Sequence, residues 1–263
     1  MAKRVETAGI AKARLDTVTM FVLAMLAGAF ISLGAMFYTF VVHDSTLSLG
    51  FTQLIGGLVF CLGLVLVIIA GAELFTGNNL IVMAYVSGDI KLSQLLRNWV
   101  IVYAGNFVGA LIMVALVYFA NHWAFADVGV KALMIANKKV SMPFMEALSK
   151  GVLCNVLVCL AVWLCFAGRS VTDKILAIVF PITAFVALGF EHSVANMYFI
   201  PAGLLLSADP QIMALLDPAT DLTQLTVKGL LLNNLLPVTI GNIIGGGFFV
   251  AIVYWFVYLR RKK

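Results

Sequence analysis

The sequence predicts an all-α membrane protein with six transmembrane helices, and three observations carry that expectation. Of the 263 residues, 63% are apolar and 11% charged, with a mean hydropathy of +1.07. A soluble domain of this length is usually about half apolar and a quarter charged. So few charges cannot coat a water-facing surface, which excludes a soluble enzyme, a disordered chain and a nucleic-acid-binding module. Second, the apolar residues fall in runs long enough for a hydrocarbon core of ~30 Å, which takes about 20 residues per helix. Third, two of those runs are interrupted by polar residues at similar places.

Each element follows in chain order. Residues 1–17 contain Lys3, Arg4, Lys12 and Arg14 and predict a cytoplasmic amphipathic segment ahead of the membrane domain, 18–259. They are not a cleaved signal, because the next apolar run is longer than a signal-peptide core and further spans follow it. The first span is 18–42. The second, 54–72, breaks at Glu73-Leu74-Phe75-Thr76-Gly77-Asn78-Asn79 and resumes at Leu80. The third is 99–120 and the fourth 144–166. The fifth, 175–190, breaks at Glu191-His192-Ser193 and resumes through 197–206. The sixth is 235–259, and 260–263 form a basic tail.

The charges set the orientation. The loops at 87–98 and 168–174 add Lys91, Arg97, Arg169 and Lys174. With the two chain ends they place 12 of the 17 basic residues on one face. The positive-inside rule makes that face, and both termini, cytoplasmic. The net charge of +5 is thereby a topological signal. The four cysteines lie inside spans with no C-x-x-C pair and read as small apolar filler.

A weak duplication runs through the chain. Asn98 is followed by Asn106 and Gly109, and Asn234 by Asn242 and Gly245, at equal spacings. Each pattern opens a span that follows a broken one. Segments 18–120 and 144–259 therefore read as two copies of a three-span unit. Three is odd, so the copies enter the membrane from opposite sides, as an inverted repeat. Folds of that symmetry place their site near the midplane, where discontinuous helices meet. The stripes Gly105-x-x-x-Gly109 and Gly241-x-x-x-Gly245 read as close helix packing.

The two breaks predict the site. Irregular backbone at membrane depth survives only when buried in protein or lining a wet cavity. The free helix N-termini expected near Asn79 and Ser193 favour anions. His192 is the residue to single out, because an ionisable group at that depth is functional by default. It either hydrogen-bonds within the bundle or meets an anion as donor or acid. Glu73 and Glu191 read as structural, accepting bonds from the break backbone or pairing within the bundle. Thr76 and Asn155 are polar groups at midplane depth, serving either the path or interhelical bonding. Phe60, Phe75, Phe185 and Phe190 flank the breaks. They either pack or, with Leu64 and Leu74, form dewetting constrictions.

The stretches Gly71-Ala72-Glu73-Leu74-Phe75-Thr76-Gly77-Asn78 and Gly189-Phe190-Glu191-His192-Ser193-Val194-Ala195-Asn196-Met197 resemble the signatures of the formate/nitrite transporter family. So do Asn98-Trp99 with Tyr103-x-Gly105-Asn106, and Pro237-Val238-Thr239-Ile240-Gly241-Asn242. The last stretch, with Cys159-Leu160-Ala161-Val162-Trp163, is most similar to the formate-channel branch. The resemblance implies an aquaporin-like fold and a homopentamer with one pore per protomer, in a bacterial inner membrane, passing formate and other small monovalent anions without a cofactor. It implies that His192 and Thr76 face each other in a central chamber, with Asn155 as a further donor. It implies that Phe60 with Phe185, and Leu64 with Leu74, constrict the path on either side. Lys139 resembles a lysine at the outer entrance, in the loop before the fourth span. The N-terminal helix is implied to help close the cytoplasmic mouth. The expected mechanism has His192 stabilising or protonating the anion between two apolar gates. Nitrite or hydrosulfide is the nearest alternative substrate. An intramembrane enzyme built on His192 and Ser193, or a non-conducting scaffold, are the alternatives of another class.

Overall fold

The computed structural model describes residues 1–125 and 127–260, and among them every regular element is helical. Arg261, Lys262 and Lys263 of the expected basic tail lie outside the described residues. Helix α1 (Ala2–Ala13) precedes α2 (Thr17–Val42). Asp16 separates them and caps α2, its carboxylate accepting the Thr19 N–H at 3.0 Å. Bonds from the Thr19 side chain and backbone hold that carboxyl below the usual carboxylate range.

Helix α3 (Leu49–Leu66) ends in a π turn, Val67–Gly71. After the break the chain resumes as a 3₁₀ turn, Gly77–Ile81, and the short α4 (Val82–Val86). The restart therefore lies two residues before the expected Asn79. Helix α5 (Leu92–Phe119) follows. Next comes α6 (Val128–Val140), where the sequence predicts only a loop. Then come α7 (Phe144–Cys165), α8 (Val171–Ala187), α9 (Ser193–Leu206) and α10 (Pro210–Leu215). The last span, Gly229–Tyr258, contains α11 (Leu236–Ile243) and α12 (Val253–Tyr258) joined by π segments.

Five of these helical stretches are long and apolar enough to cross a bilayer. The remaining expected crossing is shared by α8 and α9, of 17 and 14 residues, on either side of the second break. Several helices begin before their apolar run does. The run marks membrane depth, whereas the helix end is set by capping bonds such as that of Lys91 N–H to Gln94 at the start of α5.

Two glycines turn the chain out of helix ahead of the breaks. Gly71 has φ +81° and Gly189 φ +67°, a left-handed conformation that glycine adopts without steric cost. Each stands two residues before the glutamate of its break. The small-residue stripes pack as expected. A Cβ on Gly109 would lie 2.0 Å from the Met25 carbonyl oxygen, and one on Gly245 2.3 Å from that of Val152. Helix α5 thus presses on α2, and the last span presses on α7. Large apolar side chains such as Phe119, Phe180 and Leu49 stand exposed on the outside, where a bilayer or a second copy meets them.

Candidate functional site

The two breaks are held by matching sets of polar side chains. In the first, Asn106 of α5 accepts the Phe75 N–H at 2.9 Å and donates to the carbonyls of Ala24 and Glu73. In the second, Asn242 of α11 accepts the Ser193 N–H at 3.0 Å and donates to the carbonyls of Gly151 and Glu191. The Glu73 carboxylate takes Lys12 Nζ at 2.5 Å and Asn78 Nδ2 at 2.7 Å, and Asn78 also donates to Asn98. The Glu191 carboxylate takes Lys139 Nζ at 2.8 Å and Asn196 Nδ2 at 2.7 Å, and Asn196 also donates to Asn234. Both glutamates are buried. Of the two structural roles expected for them, pairing within the bundle is the one observed. A buried group left unpaired costs about 1–3 kcal/mol, so these partners are what lets irregular backbone persist at that depth.

The same partners pair α1 with α6. Asn98 donates to the Lys12 carbonyl and Asn234 to the Lys139 carbonyl. The N-terminal segment is thus a counterpart of α6 and not an appendage. Aligning the two sets residue by residue matches Glu73 with Glu191, Leu74 with His192 and Phe75 with Ser193. The symmetry fails at the three positions after the glutamate: the first break has Leu74, Phe75 and Thr76 where the second has His192, Ser193 and Val194.

His192 is the N-cap of α9, and its Nδ1 accepts the Ala195 N–H at 3.0 Å. A nitrogen that faces an N–H donor carries no proton, so the neutral ring bears its proton on Nε2. Nε2 lies 2.9 Å from Thr76 Oγ1. The ring stacks on Phe185 at 5.8 Å between centroids, and Phe185 meets Phe60 edge-on at 5.7 Å. Thr76 and His192 are both buried. The structure therefore brings one residue from each break into direct contact.

A cavity of about 560 Å³ is lined by Phe60, Phe185, Phe190, Lys138, Lys139 and His192, among others. A second, of about 500 Å³, is lined by Leu64, Leu74, Lys12, Lys174 and several residues of α1. Thr76 lines neither. The phenylalanine pair thus belongs to one cavity and the leucine pair to the other, with the Thr76–His192 contact joining the two breaks. Helix α1 walls the second cavity. Its Glu6 accepts from Ser87, whose Oγ also takes the Trp255 indole N–H at 2.9 Å.

Two further expected site residues, Phe75 and Asn155, line neither cavity, and Lys139 lines the first from a helix. Phe75 packs edge-on against Tyr103 at 4.9 Å and Trp99 at 6.1 Å and lines neither cavity. Its N–H is fastened to Asn106, which turns its ring toward α5 and away from the path. Asn155 donates its amide to the carbonyls of Thr76 and Asn242 at 3.2 and 2.7 Å. It fastens the first break to the last span and has no free N–H to offer. Lys139 lies on α6, not in a loop, and its charge is engaged by Glu191. Phe190 lines the first cavity as a half-buried wall without an aromatic partner among the described residues. Sequence reasoning missed Lys12, Asn78 and Asn196 as break partners. The available signal was the Glu-x-x-x-x-Asn spacing common to Glu73 with Asn78 and Glu191 with Asn196.

Comparison with known proteins agrees with this geometry. The sequence model of a family described as formate/nitrite transporter matches residues 1–256. The chain is 45% identical over 268 residues to the formate channel FocA of Escherichia coli strain K12, covering 100% of this chain and 94% of that one. It is 39% identical over 267 residues to the formate channel FocB of the same organism, again over 100% and 94%. A solved structure described as a pentameric formate channel with formate bound superposes with a TM-score of 0.85 at 40% identity, covering 93% of this chain and 98% of that one. On this fold, these paired breaks and these matches, the chain belongs to the formate/nitrite transporter family.

Proposed function

We propose that this protein is a formate channel of a bacterial inner membrane, a homopentamer with one pore per protomer and both termini in the cytoplasm. The full-length likeness to proteins named formate channels supports the substrate, and the likeness to a pentamer supports the assembly. We read the chain as two inverted copies, now extended to include α1 and α6. The single observation that carries the mechanism is the Thr76–His192 contact, buried between a phenylalanine-lined and a leucine-lined cavity.

Formate enters the chamber and takes the place each of the two side chains now fills for the other. The His192 Nε2–H and the Thr76 hydroxyl then donate to the carboxylate oxygens. Desolvating a bare charge beside Phe60, Phe185, Leu64 and Leu74 costs several kcal/mol, and these two donors offset part of that. The Ala195 cap favours hydrogen-bond donation over proton donation. An imidazolium would carry a proton on Nδ1 as well, where it would confront the Ala195 N–H. An enzymatic reading lacks its core contact, since the Ser193 hydroxyl has no partner and the His192 nitrogens are engaged by Ala195 and Thr76.

The substrate is tested by measuring formate, nitrite and hydrosulfide flux side by side in proteoliposomes. Formate flux well above protein-free vesicles, and faster than the other two, is expected. Faster nitrite or hydrosulfide flux would assign the chain to another substrate of its family, and none at all would leave only a scaffold.

A further inference from the structure

Resting on the channel reading above, we propose that Tyr103 and Thr239 are a positioning pair: their hydrogen bond fixes the spacing of Thr76 and His192 and so sets the size of monocarboxylate that the chamber accepts. The two hydroxyl oxygens lie 2.8 Å apart, and both residues are half-buried. Tyr103 stands five residues after Asn98 and three before Asn106, and Thr239 stands five after Asn234 and three before Asn242. They hold the same position in the two asparagine ladders, and there the ladders meet. Among the described residues theirs is the only hydrogen bond between α5 and the last span. Replacing both members of such a pair by apolar groups leaves nothing unpaired, so burial alone does not call for two hydroxyls here.

The chamber donors ride on these two helices. Asn106 of α5 grips the Glu73 carbonyl and the Phe75 N–H, and Thr76 is the next residue. The Phe75 ring also packs edge-on against Tyr103, at 4.9 Å between centroids. Asn242 of α11 grips the Glu191 carbonyl and the Ser193 N–H, on either side of His192. A shift of α5 against α11 therefore moves Thr76 against His192. Two braces resist it. Asn155 of α7 ties the Thr76 carbonyl to that of Asn242. Thr239 lies three residues, about one helical turn, before Asn242. One brace lets two helices pivot about it, whereas two at different heights fix both distance and angle. Thr76 and His192 lie 2.9 Å apart and must part to admit a carboxylate. Formate carries only a hydrogen beyond its carboxyl carbon. Acetate carries a methyl group and needs a wider parting, so a stiff spacing penalises it.

The test measures acetate and formate flux in proteoliposomes holding Tyr103→Phe, Thr239→Val, both together, or Thr239→Ser. Each of the first two variants should raise the acetate-to-formate flux ratio roughly 3- to 10-fold, the worth of one hydrogen bond. The double variant should show the same ratio as either single one, because the second change has no bond left to remove. Thr239→Ser keeps the hydroxyl and should keep the wild-type ratio. A merely structural role would lower the melting temperature and both fluxes together and leave the ratio unchanged. An unchanged ratio in both single variants would overturn the proposal, as would ratios that multiply in the double variant. Wild-type vesicles that pass neither carboxylate would contradict the channel reading and the proposal with it. Wild-type flux with unaltered ratios contradicts the positioning alone.

Discussion

Thr76 and His192, one residue from each break, form the buried contact on which the proposed pore turns. Among the described residues neither side chain has another polar partner for the atom it presents to the other, so both are available when an anion arrives. His192 engages both ring nitrogens: Nδ1 holds the helix, and Nε2 serves the path in the proposed mechanism. Replacing Thr76 by valine keeps the shape and removes one donor. A hydrogen bond to a charged group is worth about 1.5–3 kcal/mol, so formate flux should fall roughly ten- to a hundredfold in proteoliposomes while the oligomer survives. Flux equal to wild type would remove Thr76 from the path. That His192 marks the second break was legible in the sequence, because an imidazole inside an apolar run is rare. Its tautomer was not, since the Ala195 N–H bond depends on where α9 begins. The role of Phe75 was left open between packing and constriction for a related reason. Its position beside the break is visible in the chain, but its direction is set by Asn106, which lies in another helix.

The breaks themselves are stable because each is laced to a neighbouring span. Asn242 alone satisfies the Ser193 N–H and the carbonyls of Gly151 and Glu191. Asn242→Ala would strand the buried Ser193 N–H and the Glu191 carbonyl at a cost of about 1–3 kcal/mol each. The expected outcome is a clear drop in the melting temperature of the detergent-solubilised protein, with loss of flux. An unchanged melting temperature would show that the bonds are dispensable. At this scale the sequence disclosed the existence and position of both breaks, through polar residues placed inside apolar runs. It concealed α6, because a 13-residue helix is too short to span and carries no apolar run to mark it. It also concealed the link from Lys12 to Glu73, which joins residues far apart in the chain. Lys12 looked like one more cytoplasmic cation under the positive-inside rule.

The whole molecule is a near-symmetric frame around an asymmetric centre, where Leu74, Phe75 and Thr76 of one break stand against His192, Ser193 and Val194 of the other. The frame needs equal parts on both sides: two turning glycines, two glutamate–lysine pairs and two asparagine ladders. Function needs a difference, and it lies where Leu74 takes the place of His192 and Val194 that of Thr76. The Asn98 and Asn234 spacing pointed to the matched breaks, and the charge distribution supplies the orientation proposed for the chain. The extent of each copy became visible only when α1 and α6 were seen to make the same bonds. The account's central claim is that the chamber works by donating hydrogen bonds, not by handing over a proton. Asparagine at 192 separates the two, because its carbonyl can cap Ala195 and its amide can donate, yet it does not titrate near neutral pH. The most direct measurement is formate flux through His192→Asn beside His192→Phe in proteoliposomes. Flux within about tenfold of wild type in the asparagine protein, with background flux in the phenylalanine protein, is the predicted result. Background flux in both, with each pentamer intact, would contradict it.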